Sequence, residues 1–196
     1  MSSVRARHLK TKLEVISRFG RGDEVLARLG RARIEVIEVA HGFDWLPIEL
    51  DLATTQAAHA ALGADGAHTL WATMMGEALS GPLFAPLARA GLLLMGREAT
   101  TWSELVRKGW GLVFSRCGRW VMTPVGPRAL SMRLEDLPPE CASDAVWLTS
   151  VASALSGVHA FLGVDGSVVL TELQVESRAA AFHSVWGLVP AGRGRT

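Results

Sequence analysis

Tyrosine is absent from the 196 residues, and only two cysteines occur, Cys117 and Cys141. Two cysteines make no disulfide framework, so free thiols of a reducing compartment are expected. Uninterrupted apolar runs are also missing. The greasiest stretch, Leu83 to Met95, contains Pro86 and Arg89 and falls short of the roughly 20 residues a membrane-spanning helix needs. No apolar segment of signal-peptide type follows the basic N-terminus, so a soluble, cytoplasmic protein is expected. Net charge is only +1, so no global field points to nucleic acid. The lack of tyrosine beside abundant Arg, Ala and Gly fits a GC-rich genome.

Catalytic and metal signatures are missing as well. Gly20-Arg21-Gly22 and Gly109-Trp110-Gly111 begin a GxG, but Val25 and Phe114 stand where the third glycine would be, and neither leads from a buried strand into a helix. No Walker lysine motif, HExxH, CxxC or GxSxG occurs. The histidines, His8, His41, His59, His68, His159 and His183, show no paired ligand spacing. Cys117 lies between Arg116 and Arg119, which could lower its pKa; burial of a small thiol is the stronger reading. Glu135 and Asp136 are adjacent and diverge on any regular element. No catalytic residue, metal or cofactor is expected, and no enzyme.

What the chain does have is apolar periodicity: 49% of its residues are hydrophobic, seven of them tryptophan. Leu9, Leu13 and Ile16 mark a helix over residues 7–19. Asp23 opens a short helix closed by Gly30. Arg33 to Val39 breaks strict alternation and is expected to be helical. Pro47 marks a helix start or an extended corner, with a helix from about Leu52 to Leu62 ended by Gly63. Leu70, Trp71, Met74, Met75 and Leu79 share a face of the next helix, over 65–79. Leu83 to Met95 is expected to form a buried helix. Trp102, Leu105, Val106, Trp110, Val113 and Phe114 keep helical spacing, with Cys117-Gly118-Arg119 as the helix end.

Arg119–Pro124 and Arg128–Leu134 read as a hairpin about Gly126-Pro127. Ser143 or Asp144 opens a helix through Val158. Gly163 to Gly166 reads as a turn, before a second hairpin, Val168–Val175 with Ala179–Trp186. Bases outnumber acids from Met1 to Arg31, Lys12 among them, which reads as a solvated basic face. The expected fold is α+β: N-terminal helices packed on an antiparallel sheet of two hairpins separated by a helix. One domain over 1–190 and a disordered tail over 191–196 are expected.

Several segments carry a family resemblance. Asp44-Trp45-Leu46-Pro47-Ile48-Glu49-Leu50 resembles the "WYPxEL" segment of a Myxococcales-restricted family of paralogous proteins of unknown function. Cys117-Gly118-Arg119-Trp120 with Val125-Gly126-Pro127 resembles that family's "TGRRxYxxxGP" hairpin. Asp144 to Leu155 and Phe182 to Trp186 resemble its next helix and last strand. That family is similar in turn to vinyl-reductase-type ligand-binding domains and to transport-particle subunits of vesicle tethering. The resemblance implies helices against an antiparallel sheet, often dimeric, with an apolar pocket in some members. The paired cysteines of the vinyl-reductase pattern are absent, Ala180 and Phe182 standing there, and the family hairpin's tyrosines are replaced.

Two functions follow as expectations. The first is a non-enzymatic sensory or small-molecule-binding regulatory domain. Its apolar pocket would be lined by Trp71, Met74, Met75, Trp102, Trp110, Phe114 and Trp147. The alternative is a protein–protein interaction or adaptor module acting as a homodimer through Leu83, Leu87, Leu92 and Leu94.

Overall fold

A computed structural model describes residues 1–81, 85, 86, 90, 93 and 99–188. The first apolar stripe forms helix α1 (Ala6–Arg18), which buries Leu9, Leu13, Val15 and Ile16, and with them Lys12. Helices α2 (Gly22–Leu29) and α3 (Arg31–Val39) follow. Gly30 joins them at φ 85°, a left-handed conformation that glycine adopts without strain.

A short ribbon ties the chain's N-terminus to its middle. Strand β1 (Ser3–Arg5) pairs antiparallel with β2 (Trp45–Pro47) on one side and with β3 (Phe114–Ser115) on the other. Elements this short give no readable alternation, and none of the three was expected. Pro47 then leads straight into α4 (Ile48–Ser80), whose helical run is broken only at Gly63 (φ 72°, ψ 179°). The expected break at Gly63 is present, but the helix starts four residues before Leu52. That earlier start places Asp51 in the first turn, on the buried face.

Helix α5 (Ala99–Val113) stops before the expected end at Cys117. Phe114 leaves the helix to pair with Val4. Gly118 is left-handed as expected (φ 87°), but it turns the chain into β4 rather than capping α5; a Cβ there would lie 2.6 Å from the Glu135 carbonyl oxygen. Strands β4 (Arg119–Gly126) and β5 (Ala129–Glu135) form the first hairpin, with Trp120 opposite Leu134 and Met122 opposite Met132. After the single turn α6 (Pro139–Ala142), helix α7 (Ala145–Phe161) begins at Asp144, whose Oδ1 accepts the Trp147 backbone N–H at 2.8 Å. Loss of such a cap costs about 1 kcal/mol. Asp144→Ala is expected to lower the urea midpoint by that equivalent, with an unchanged m-value.

The second hairpin is β6 (Val164–Gln174) and β7 (Ala179–Leu188). It starts earlier than expected: Asp165 and Gly166, read as turn residues, lie in β6, with Gly166 opposite Trp186. Glycine serves there for closeness rather than turning, since a Cβ would come within 2.8 Å of the His159 ring. The four strands run β4-β5-β7-β6, all antiparallel.

Helix α7 is buried nearly all round and lies between α4 and the sheet. On one side Gly157 lets the Ala72 carbonyl approach. On the other, Ser156 Oγ accepts the Val168 N–H at 2.9 Å. Leu130, Met132, Leu134 and Phe182 are buried in the core on the sheet's side. The fold is thus α+β, with helices on antiparallel sheets. Of the expected helix over Leu83 to Met95 only residues 85, 86, 90 and 93 are described, and the expected tail over 191–196 lies outside the described residues.

Candidate ligand cavity

The inward stripes of three helices do not quite meet. Trp71, Met74, Met75 and Ala78 of α4 follow i, i+3, i+4, i+7 spacing, which gathers them on one face. Leu105, Val106, Gly109, Trp110 and Val113 do the same on α5, and Trp147, Ser150, Val151, Ala154 and Leu155 on α7. Between them lies a cavity of about 110 Å³, lined also by His8, Lys12, Asp51 and Phe114. Trp110 stacks tilted on Phe114 at 4.2 Å and meets Trp147 edge-on at 6.1 Å.

Six of the seven aromatic and thioether residues singled out in the sequence line this space: Trp71, Met74, Met75, Trp110, Phe114 and Trp147. The side chain of Trp102 lies outside the described residues, as do Leu83, Leu87, Leu92 and Leu94.

The cavity also has a polar side, built from residues whose charge alone would place them on a surface. Lys12 Nζ stands 2.6 Å from Asp51 Oδ1, and the Trp147 indole donates to Asp51 Oδ2 at 2.8 Å. Lys12 Nζ also lies 4.5 Å from the centre of the Trp71 ring, a cation–π contact. His8 Nε2 is 3.8 Å from Asp51 Oδ1, and the His8 ring meets Phe114 edge-on at 5.5 Å. Burial works against ionising Asp51. The charges of Lys12 and His8 and the hydrogen bonds from Lys12 and Trp147 outweigh it and hold the carboxyl below its usual range. Lys12 is therefore no part of a solvated basic face. The signal was available: Lys12 sits at i+3 from Leu9 and Asp51 at i+3 from Ile48, each on an apolar stripe.

Burial, and then the Lys12 charge, lower the His8 pKa to about 4, against the pull of Asp51. His159 is a second buried imidazole. It lies 3.1 Å from Ser184 Oγ, stacks on Trp186, and is lowered to about 4, chiefly by burial. Both rings are neutral in the folded protein at neutral pH. Below pH 6.5 the unfolded chain takes up protons that these sites refuse, so stability falls from about pH 6.5 down to about pH 4. Asp51 adds a further loss as pH falls through its depressed pKa. Urea midpoints at pH 7, 5.5 and 4.5 should drop in that order, and His8→Gln or His159→Gln should flatten the dependence.

The cysteines do not supply a nucleophile. Cys117 is buried, its thiol faces the Ser3 and Ser115 carbonyls, and burial pushes its pKa up to about 11. Activation by neighbouring arginines is thereby overturned: Arg119 is paired with Glu135 and Asp136 at 2.7 and 3.0 Å. The Cys141 thiol is also pushed up, by burial first. Among the described residues no group of His, Cys, Asp and Glu side chains could hold a metal ion, and no helix is long and apolar enough to cross a membrane.

No protein-family model matches the sequence, and no curated protein matches it. Solved structures do match in fold. The Fe(II) unliganded H-NOX protein from K. algicida is 12% identical, with a TM-score of 0.60 over 96% of this chain and 100% of its own. A Cs H-NOX mutant gives 0.63 at 12% identity, over 93% of this chain and 96% of its own. An oxygen-binding H-NOX domain related to soluble guanylate cyclases, solved as its oxygen complex, gives 0.55 at 12% identity over 96% and 97%. At these identities the likeness is one of fold: this chain has an H-NOX-like architecture.

Proposed function

We propose that the chain is a non-enzymatic sensory domain that binds a small apolar molecule in the cavity between α1, α4, α5 and α7. The observation that carries this reading is the cavity itself. It is walled by tryptophan, methionine and aliphatic side chains, and its volume of about 110 Å³ is comparable to apolar cavities of roughly 150 Å³ that take up benzene. The H-NOX-like fold supports it, since the structures sharing that fold include one that binds oxygen and others described by their haem.

A haem does not fit the described residues that line the cavity. The α5 wall offers Leu105, Val106, Gly109, Trp110 and Val113, none of which can ligate iron. Among the described residues the one imidazole at the cavity is His8, whose Nε2 lies against the Asp51 carboxylate. Among the described residues that line the cavity the one cation is Lys12, already paired with Asp51, so the porphyrin carboxylates would meet no free positive charge there. Cofactor pockets measure roughly 300–1,000 Å³, several times the room found. The reading therefore routes nothing through iron.

Thermal unfolding with toluene tests the proposal. At about ten times its Kd, toluene should raise Tm by a few degrees. Ala154→Leu or Ala78→Leu, which fill the cavity, should abolish the rise, and added haemin should give no stoichiometric Soret band. An unchanged Tm in the wild type, or an equal rise in the filled variants, would overturn it.

A further inference from the structure

The chain between α3 and β2 shows apolar side chains to solvent. Val39 is 84% exposed, Phe43 72% and Trp45 39%, three large apolar residues within a short stretch. The loop backbone, by contrast, is bonded within the protein. The His41 carbonyl accepts the Asp44 N–H, the Gly42 carbonyl the Arg7 N–H and the Asp44 carbonyl the Ala6 N–H, at 2.9, 3.0 and 2.9 Å. The Phe43 carbonyl accepts from the Arg5 guanidinium at 2.5 Å. The His41 N–H donates to the Asp44 carboxylate at 2.6 Å, and the Phe43 N–H to His41 Nδ1 at 3.4 Å. Leaving water is costly for unpaired backbone groups, and this loop has few to lose.

Cations surround it. The Arg5 guanidinium lies 3.8 Å above the Trp45 ring. The Arg7 stem passes within 3.8 Å of where a Cβ of Gly42 would stand. Lys10, one turn further along α1, reaches the Glu38 carbonyl near the end of α3 at 2.8 Å. The acids of the stretch are Asp44, engaged by the His41 N–H, and Glu38.

We propose that this loop docks on an anionic phospholipid surface, with Phe43 and Val39 entering the headgroup region and Arg5, Arg7 and Lys10 meeting lipid phosphates. Trp45 suits the same boundary, where its amphipathic ring is at home. A protein partner reads a loop in part by hydrogen bonds to its polar groups, and most of those are spent internally here. A bilayer interface asks for apolar side chains and cations, which are what the loop offers.

Co-sedimentation of the full chain with vesicles tests the proposal, using phosphatidylcholine alone and phosphatidylcholine with phosphatidylglycerol. Binding is expected to the mixed vesicles, at least about tenfold tighter than to phosphatidylcholine alone, and to weaken on raising NaCl to about 0.5 M. Phe43→Ser should weaken it about tenfold, and Arg7→Ala/Lys10→Ala by about tenfold or more. Val169→Ser, at an exposed apolar residue of β6, should leave it unchanged. Each variant is compared at equal Tm, which Phe43→Ser preserves because Phe43 is exposed. No binding to the mixed vesicles, equal binding to both kinds, or binding indifferent to Phe43→Ser would overturn the proposal. Sedimentation without vesicles that Phe43→Ser abolishes would assign the face to a second copy instead. Binding of polyglutamate but not of the mixed vesicles would assign it to an acidic polypeptide, and either result overturns the lipid assignment.

Discussion

Replacing Lys12 with methionine is expected to lower the unfolding free energy by about 3–5 kcal/mol, the usual loss when one partner of a buried ion pair is removed. Methionine fills much the same space, so little of the loss comes from packing. Most comes from Asp51, left fully buried with Trp147 as its remaining close donor. Two signatures separate this from a generic core defect. First, Asp51→Asn in the Lys12→Met background should recover a large part of the loss, because a neutral amide still accepts from Trp147 and no longer needs a counter-charge. Second, the Asp51 carboxyl should be pushed up once Lys12 is gone. The gap between variant and wild type should then narrow as pH falls through the ordinary carboxylate range. Urea unfolding at several pH values measures both.

The second large effect is expected at the crossing of α4 and α7. A Cβ added at Gly157 would stand 2.2 Å from the Ala72 carbonyl oxygen and 2.9 Å from its carbon. Those are backbone atoms of a long helix, which cannot swing aside as a side-chain tip can. Gly157→Ala should therefore destabilise by about 3 kcal/mol, the upper part of the overpacking range, despite alanine's better helix propensity. A contrast lies on α4: a Cβ at Gly76 meets nothing within 4 Å, and Gly76→Ala should be neutral or stabilising. Both helices wall the cavity, so Gly157→Ala should also weaken toluene binding by disturbing their spacing.

The elements legible in the sequence were those long enough to show a period. The stripes of α1, α4, α5 and α7 were readable, as were the break at Gly63 and the two hairpins. So was the helical nature of Arg33 to Val39. The ribbon of β1, β2 and β3 was not, because two- or three-residue strands show no alternation. Phe114 misled for a related reason. It lies four residues after Trp110 and still reaches the cavity, so the helical stripe runs on into a strand without a visible seam. A glycine beside an aspartate usually signals a turn, whereas Gly166 makes room for His159 inside a strand. Lys12 and Asp51 were hidden by their charge. Read singly each belongs on a surface, and only the pairing of two helix faces distant in sequence turns them into a buried pair. The likeness to H-NOX domains concerns the fold. The kinship of the DWLPIEL and CGRW segments with a Myxococcales-restricted family stays a proposal beside it.

The central claim, that this cavity receives a small apolar molecule, is tested most directly by methyl NMR of protein carrying 13C-methyl methionine. Met74 and Met75 line the cavity, while Met132 lies in the sheet away from it. Titration with toluene should move the Met74 and Met75 methyl resonances saturably, to a plateau at one equivalent bound, and leave Met132 in place. Resonances that do not move, or that all drift together without saturating, would contradict the account.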